Sequence, residues 1–157
     1  MKRMSVVMAV CLAVFVVFAA GTLFSQDAET MKIVREKIRA DKKLLIATNM
    51  ELTEAEGKTF WPIYDVYQED LAKLSARGLK LLEDYAKNYE VMTNDTAKKI
   101  LDEQMAIESE KLKIRQAYLP KFRKALSDIK VARYYQLENK IQAVVNYELA
   151  DMIPLVK

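Results

Sequence analysis

The sequence has no histidine, one cysteine (Cys11), one tryptophan, and only three glycines and three prolines in 157 residues. Without histidine there is no Ser-His-Asp or Cys-His catalysis, no histidine-ligated haem and no histidine-containing zinc finger or di-iron bundle. So few glycines and prolines argue against a turn-rich β-sandwich or barrel. Neither charge sign dominates, the formal net charge being +3. What is abundant is apolar residues (52%) alongside charged ones (30%), a balance that can bury a core and is not that of a disordered polymer. The length suits about one domain.

The first 25 residues read as an address. Lys2 and Arg3 precede an apolar run from Val6 to Ala20, and the small residues Ala19, Ala20 and Gly21 follow. This is the layout of a secretory signal peptide. Cleavage after Ser25 is favoured over Gly21, because polarity changes sharply at Gln26-Asp27. Left uncleaved, the apolar stretch to Phe24 would be about 19 residues, just long enough for an anchor. Cys11 lies inside the run behind Val10, a poor lipoprotein context. Removing 1–25 takes away Lys2, Arg3 and no acid, so the chain's 25 basic and 22 acidic residues become 23 and 22, a net of +1. Export and near-neutrality argue against nucleic-acid binding. With no cysteine left, packing rather than disulfides must hold residues 26–157 together as a single all-helical domain.

That domain reads as all-α: an elongated antiparallel hairpin or bundle of about four helices, two of them long and kinked at prolines. Residues 26–49 place Met31, Val34, Ile38 and Leu45 at helical spacing. Arg35, Lys37, Arg39, Lys42 and Lys43 form a basic face, either solvated or a docking surface for an acidic client or anionic lipid. The second helix starts at Leu52-Thr53-Glu54-Ala55-Glu56. Thr53 is an N-cap, Glu56 completes a capping box, and Leu52 stands where a hydrophobic staple would. Its seam is Phe60, Tyr64, Tyr67, Leu71, Leu74, Gly78, Leu81, Tyr85, in alternating steps of four and three. Pro62 predicts a kink, and Gly78 a gap where another backbone could approach. The third helix starts at Met92-Thr93, with a stripe of Ala97, Leu101, Met105, Leu112, Leu119 and Phe122, and a kink or break at Pro120. The fourth starts at Leu126-Ser127-Asp128, with a stripe of Val131, Tyr134, Ile141, Val145, Leu149 and Met152, and stops at Pro154. Short connections predict antiparallel neighbours.

Leu52-Thr53-Glu54-Ala55-Glu56 resembles the LTxxQ motif of the Spy- and CpxP-type periplasmic proteins, with Glu56 in place of glutamine. Met92-Thr93, about forty residues on, stands where that family's second motif tends to fall, in degraded form. Phe60-Trp61-Pro62-Ile63-Tyr64 and Arg133-Tyr134-Tyr135-Gln136-Leu137-Glu138-Asn139-Lys140 look more like a group of uncharacterised bacterial exported proteins. The resemblance implies a small all-helical protein of the cell envelope. Some relatives are ATP-independent chaperones with a concave cradle formed by a dimer, and others sense stress or metal. It supplies no catalytic residue.

Glu108 and Arg115 on the third helix and Glu138 on the fourth fall on apolar seams. Charges there must be paired, for instance Glu138 with Arg115 or Arg39, in a network that fixes register or lines a polar cleft. Phe60, Trp61, Tyr64 and Tyr67 are core by spacing, but they cannot all share one face, and an outward Trp61 would be a contact point. Arg133 and Gln136, with the nearby tyrosines, could line a polar groove in which Arg133 grips an anion or carboxylate. Phe60, Trp61, Tyr64, Arg133 and Gln136 are therefore the partner-binding candidates. No catalytic, metal or cofactor site is expected.

The expected function is that of an exported periplasmic binding protein, an ATP-independent chaperone or envelope-stress adaptor for partly folded proteins. The alternatives are a dedicated regulator of a membrane sensor, or a structural envelope dimer. A carboxylate-pair enzyme is the least favoured.

Overall fold

A computed structural model describes residues 27–156, with side chains from residue 36 onward. The expected signal peptide and Cys11 lie outside the described residues, as do the side chains of Met31, Val34 and Arg35. The fold is all-α, and no strand occurs among the described residues. Four helices follow one another: α1 (Asp27–Met50), α2 (Glu54–Asn88), α3 (Asn94–Ala125) and α4 (Asp128–Met152). A 3₁₀ turn, Tyr89–Val91, joins α2 to α3.

Each of the last three helices begins where its capping residues dictate. The Thr53 hydroxyl accepts from the Glu56 amide at 3.3 Å, and the Glu56 carboxylate accepts from the Thr53 amide at 2.8 Å. This closes the capping box at the start of α2. Thr93 accepts from the Thr96 amide at 3.2 Å, and Ser127 from the Lys130 amide at 3.4 Å. α1 ends at Glu51, whose φ of 49° is left-handed. That conformation terminates a helix at a cost of about 1 kcal/mol for a residue with a Cβ.

α2 and α3 run unbroken through Pro62 and Pro120. Both prolines are exposed, as are Lys58 and Gln116 four residues before them. The carbonyls that lose a helical donor therefore open towards water, and the backbone need not break.

The chain forms two compact units. One holds α1 and the stretch Arg133–Ile153. Its buried residues are Ile46, Met50 and Tyr134. Lys42 Nζ donates to Glu138 Oε2 at 2.9 Å, and Arg133 lies 4.0 Å from Glu51. The other unit holds Leu52–Ala132 and the C-terminal residues from Pro154. In it α2 and α3 are antiparallel, since Phe60 meets Phe122, Tyr67 meets Tyr118, and Arg77 meets Glu103. Its core is Phe60, Tyr64, Tyr67, Leu74, Tyr118, Phe122, Leu126 and Val131. Burying each large apolar side chain contributes on the order of 1.5–3 kcal/mol, so this cluster dominates the unit's stability.

Two sequence expectations need correction. The seam of α3 towards α2 is not Leu101, Met105 and Leu112, which are exposed. It is Ile100, Ile107 and Ile114, half-buried at heptad spacing, leading into buried Tyr118 and Phe122. The two stripes lie some 120–160° apart round the helix. Gly78 does lie on the α2 seam, but a Cβ added there would meet nothing within 4 Å, so no backbone comes close.

Candidate functional site

The aromatic end of the α2–α3 pair is a packed core. Phe60 lies 5.5 Å from Phe122 and 5.7 Å from Tyr64 between ring centroids. Tyr67 stacks edge-on against Phe122 at 5.5 Å and tilted against Tyr118 at 5.1 Å. Aromatic pairs in these geometries contribute beyond their area. Phe60 and Tyr64 are buried, so these two partner-binding candidates are inside the unit rather than on its surface. Trp61 is half-buried. Its ring meets Phe60 and Tyr64 edge-on and lies against the backbone at Gly57, 3.4 Å from where a Cβ would stand. It is the member of the trio that reaches solvent.

Polar side chains pin this core. The Tyr118 hydroxyl donates to Asp70 Oδ2 at 2.8 Å, and Lys73 Nζ donates to Asp70 Oδ1 at 2.8 Å. Lys73 and then the Tyr118 hydroxyl hold the Asp70 carboxyl below its usual range. Burial, reinforced by Asp70, pushes the Tyr118 phenol up to about 12. Further along, Arg77 spans α2 to α3, giving Nε to Glu103 at 3.0 Å and Nη1 to Glu110 at 2.6 Å. Glu110, and then Glu103, raise the Arg77 pKa above its ordinary value. Glu103 and Glu110 are two turns apart on one face of α3, and one guanidinium bridges them, consistent with the register set by the aromatic core.

That rotation decides what α3 shows to water. Leu101, Met105 and Leu112 are 59%, 51% and 56% exposed. They share one face, some 120–160° round from Ile107 at 100° per residue. Glu108 lies within this face and is exposed, accepting from Gln104 Nε2 at 2.7 Å. It is therefore not part of an interior network. Arg115, one turn past Leu112, is half-buried, as is Leu119. Between 75 and 117 no side chain of α2 or α3 is fully buried. This stretch is a helical arm with an apolar outer stripe.

The remaining candidates lie in the other unit. Arg133 and Gln136 are exposed on α4. Glu138 is half-buried and takes its charge partner, Lys42, from α1. No charged residue is fully buried among the described residues.

Sequence reasoning missed Tyr118, Arg77 and Lys130. The signal for Arg77 was two carboxylates seven residues apart on α3 and a single arginine beside the α2 seam. Among the described residues no group of three or more metal-ligating side chains gathers, and no helix is long and apolar enough to cross a membrane. In comparisons with known proteins, no family model, no curated protein and no solved structure matches this chain.

Proposed function

We propose that this chain is an exported helical binding protein, acting in the periplasm as an ATP-independent chaperone or stress adaptor for partly folded proteins. The observation that carries the reading is the outer face of α3, where Leu101, Met105 and Leu112 stand in water along about 17 Å of helix. Large apolar side chains exposed on one helix face are candidates for contact with a partner. Methionine at its centre adapts to varied shapes. Glu108 within it and Lys98, Asp102 and Lys113 nearby keep the surface hydrated and the contacts reversible. A client is held by many weak apolar contacts and leaves when it buries its own apolar residues. The resemblance at Leu52–Glu56 and the signal-like segment 1–25 support the envelope setting.

The test is light scattering of an unfolding client protein with the purified chain at roughly equimolar amounts and no nucleotide. Suppressed aggregation is the expected result. A folded, helical sample that leaves aggregation unchanged overturns the chaperone reading.

A further inference from the structure

We propose that Met105 is an oxidation site that switches the outer face of α3: a two-electron oxidant such as hydrogen peroxide turns its thioether into the sulfoxide and withdraws the face from apolar partners while the helix pair stays folded. Beyond residue 25 the chain contains no cysteine, so thioethers are its only sulfur there. They differ in access. Met50 is fully buried, Met92 and Met152 are half-buried, and Met105 is 51% exposed. The oxidant must reach the sulfur, so susceptibility follows exposure. Asp102 and Glu108, about one turn to either side, are no barrier, because hydrogen peroxide carries no charge.

The step balances without any other group of the protein. A sulfur lone pair attacks one peroxide oxygen and the O–O bond breaks. The departing hydroxide takes the proton of the transferred oxygen and leaves as water. Sulfur loses two electrons and the peroxide gains them. The product is polar where the thioether was apolar and flexible. It stands about 6 Å along the helix from Leu101 and about 10.5 Å from Leu112, so it divides the apolar stripe in two. The seam of Ile100, Ile107 and Ile114 lies on the opposite side of the helix and is untouched. The change is reversible. Thiol-dependent methionine sulfoxide reductases restore the thioether, two thiols giving the electrons and the oxygen leaving as water. The site of oxidation follows from exposure, whereas its effect on binding rests on the function proposed above for this face.

Graded hydrogen peroxide on the purified chain tests it, read by mass-spectrometric peptide mapping, circular dichroism, apolar-dye binding and client aggregation. Met105 should be oxidised at least about tenfold faster than Met50. Dye binding should fall about threefold or more with no loss of helicity. Met105→Leu should keep its dye binding and lose the response to peroxide. Met105→Gln, polar from the start, should bind dye as weakly as the oxidised wild type. The proposal is overturned if Met105 reacts no faster than Met50, or if helicity is lost along with dye binding. It is equally overturned if the untreated chain binds no dye, if full oxidation of Met105 leaves dye binding unchanged, or if Met105→Leu responds to peroxide as the wild type does. An untreated, folded chain that binds dye but protects no client overturns the chaperone reading instead, and dye binding still decides the switch.

Discussion

Lys130 reaches from the first turn of α4 to Glu56 Oε2, the same carboxylate oxygen that accepts from the Thr53 amide and closes the capping box of α2. One atom thus caps one helix and ties down the start of another. Glutamine at position 56 can still cap but cannot pair with Lys130 as an ion, and alanine can do neither. Melting temperature should fall in the order wild type, Glu56→Gln, Glu56→Ala, as read by circular dichroism. Lys130 first, and then the Thr53 amide, hold the Glu56 carboxyl below its ordinary 4.5. A carboxyl whose pKa drops on folding contributes stability at pH above its unfolded value and loses it as pH falls through the folded one. The wild type should therefore lose melting temperature on acidification below about pH 4.5, and Glu56→Gln should show a shallower decline.

Removing the Tyr118 hydroxyl takes away one of the two donors that Asp70 receives. Tyr118→Phe should cost about 1 kcal/mol in urea melts at neutral pH. The phenol is held neutral up to about 12, against an ordinary value of 10.0. Its contribution is complete below pH 10 and fades as pH rises towards 12. The gap between wild type and Tyr118→Phe should narrow over that window.

Gly78 sits inside α2 with open space where its Cβ would stand. Gly78→Ala should stabilise the protein by about 0.5–1 kcal/mol, since alanine has the better helix propensity and nothing obstructs it. A rise of a few degrees in melting temperature is the expected readout. A fall would mean that something does pack against this position.

Phe122 is fully buried between Phe60 and Tyr67, whereas Leu101 and Leu112 are exposed on the same helix. Phe122→Ala should cost about 3–5 kcal/mol. Leu101→Ser with Leu112→Ser should change stability by roughly 1 kcal/mol or less. The serine pair should nonetheless abolish binding of an apolar dye and of unfolded clients. Equal destabilisation by both changes would show that the outer stripe is core.

Helix starts were the most legible feature of the sequence. Leu52-Thr53, Met92-Thr93 and Leu126-Ser127 each place an N-cap by chemistry that involves only the next three residues. The α2 seam was legible too, since its aromatics lie along a single stripe. α3 was less legible, since it carries two apolar stripes on different faces and periodicity weighs both alike. What chooses between them lies in the distant α2: Phe60 and Tyr67 receive Phe122 and Tyr118, and Arg77 pairs with Glu103 and Glu110 on the same side. Which residue meets Phe60 from α3, namely Phe122, is likewise a pairing no local pattern contains. Lys42 as partner of Glu138 spans 96 residues and was equally out of reach.

The last fully buried side chain of α2 is Leu74, and the first in α3 is Tyr118. The free energy of opening a segment rises with the apolar surface that opening brings into water, so the two ends of this helix pair should breathe independently. Backbone amides of 78–114 should exchange with deuterium through sub-global opening, while those around Phe60 and Phe122 wait for the whole chain to unfold. A nick by a protease would fall near the 3₁₀ turn first, and the aromatic end would survive it as a folded remnant.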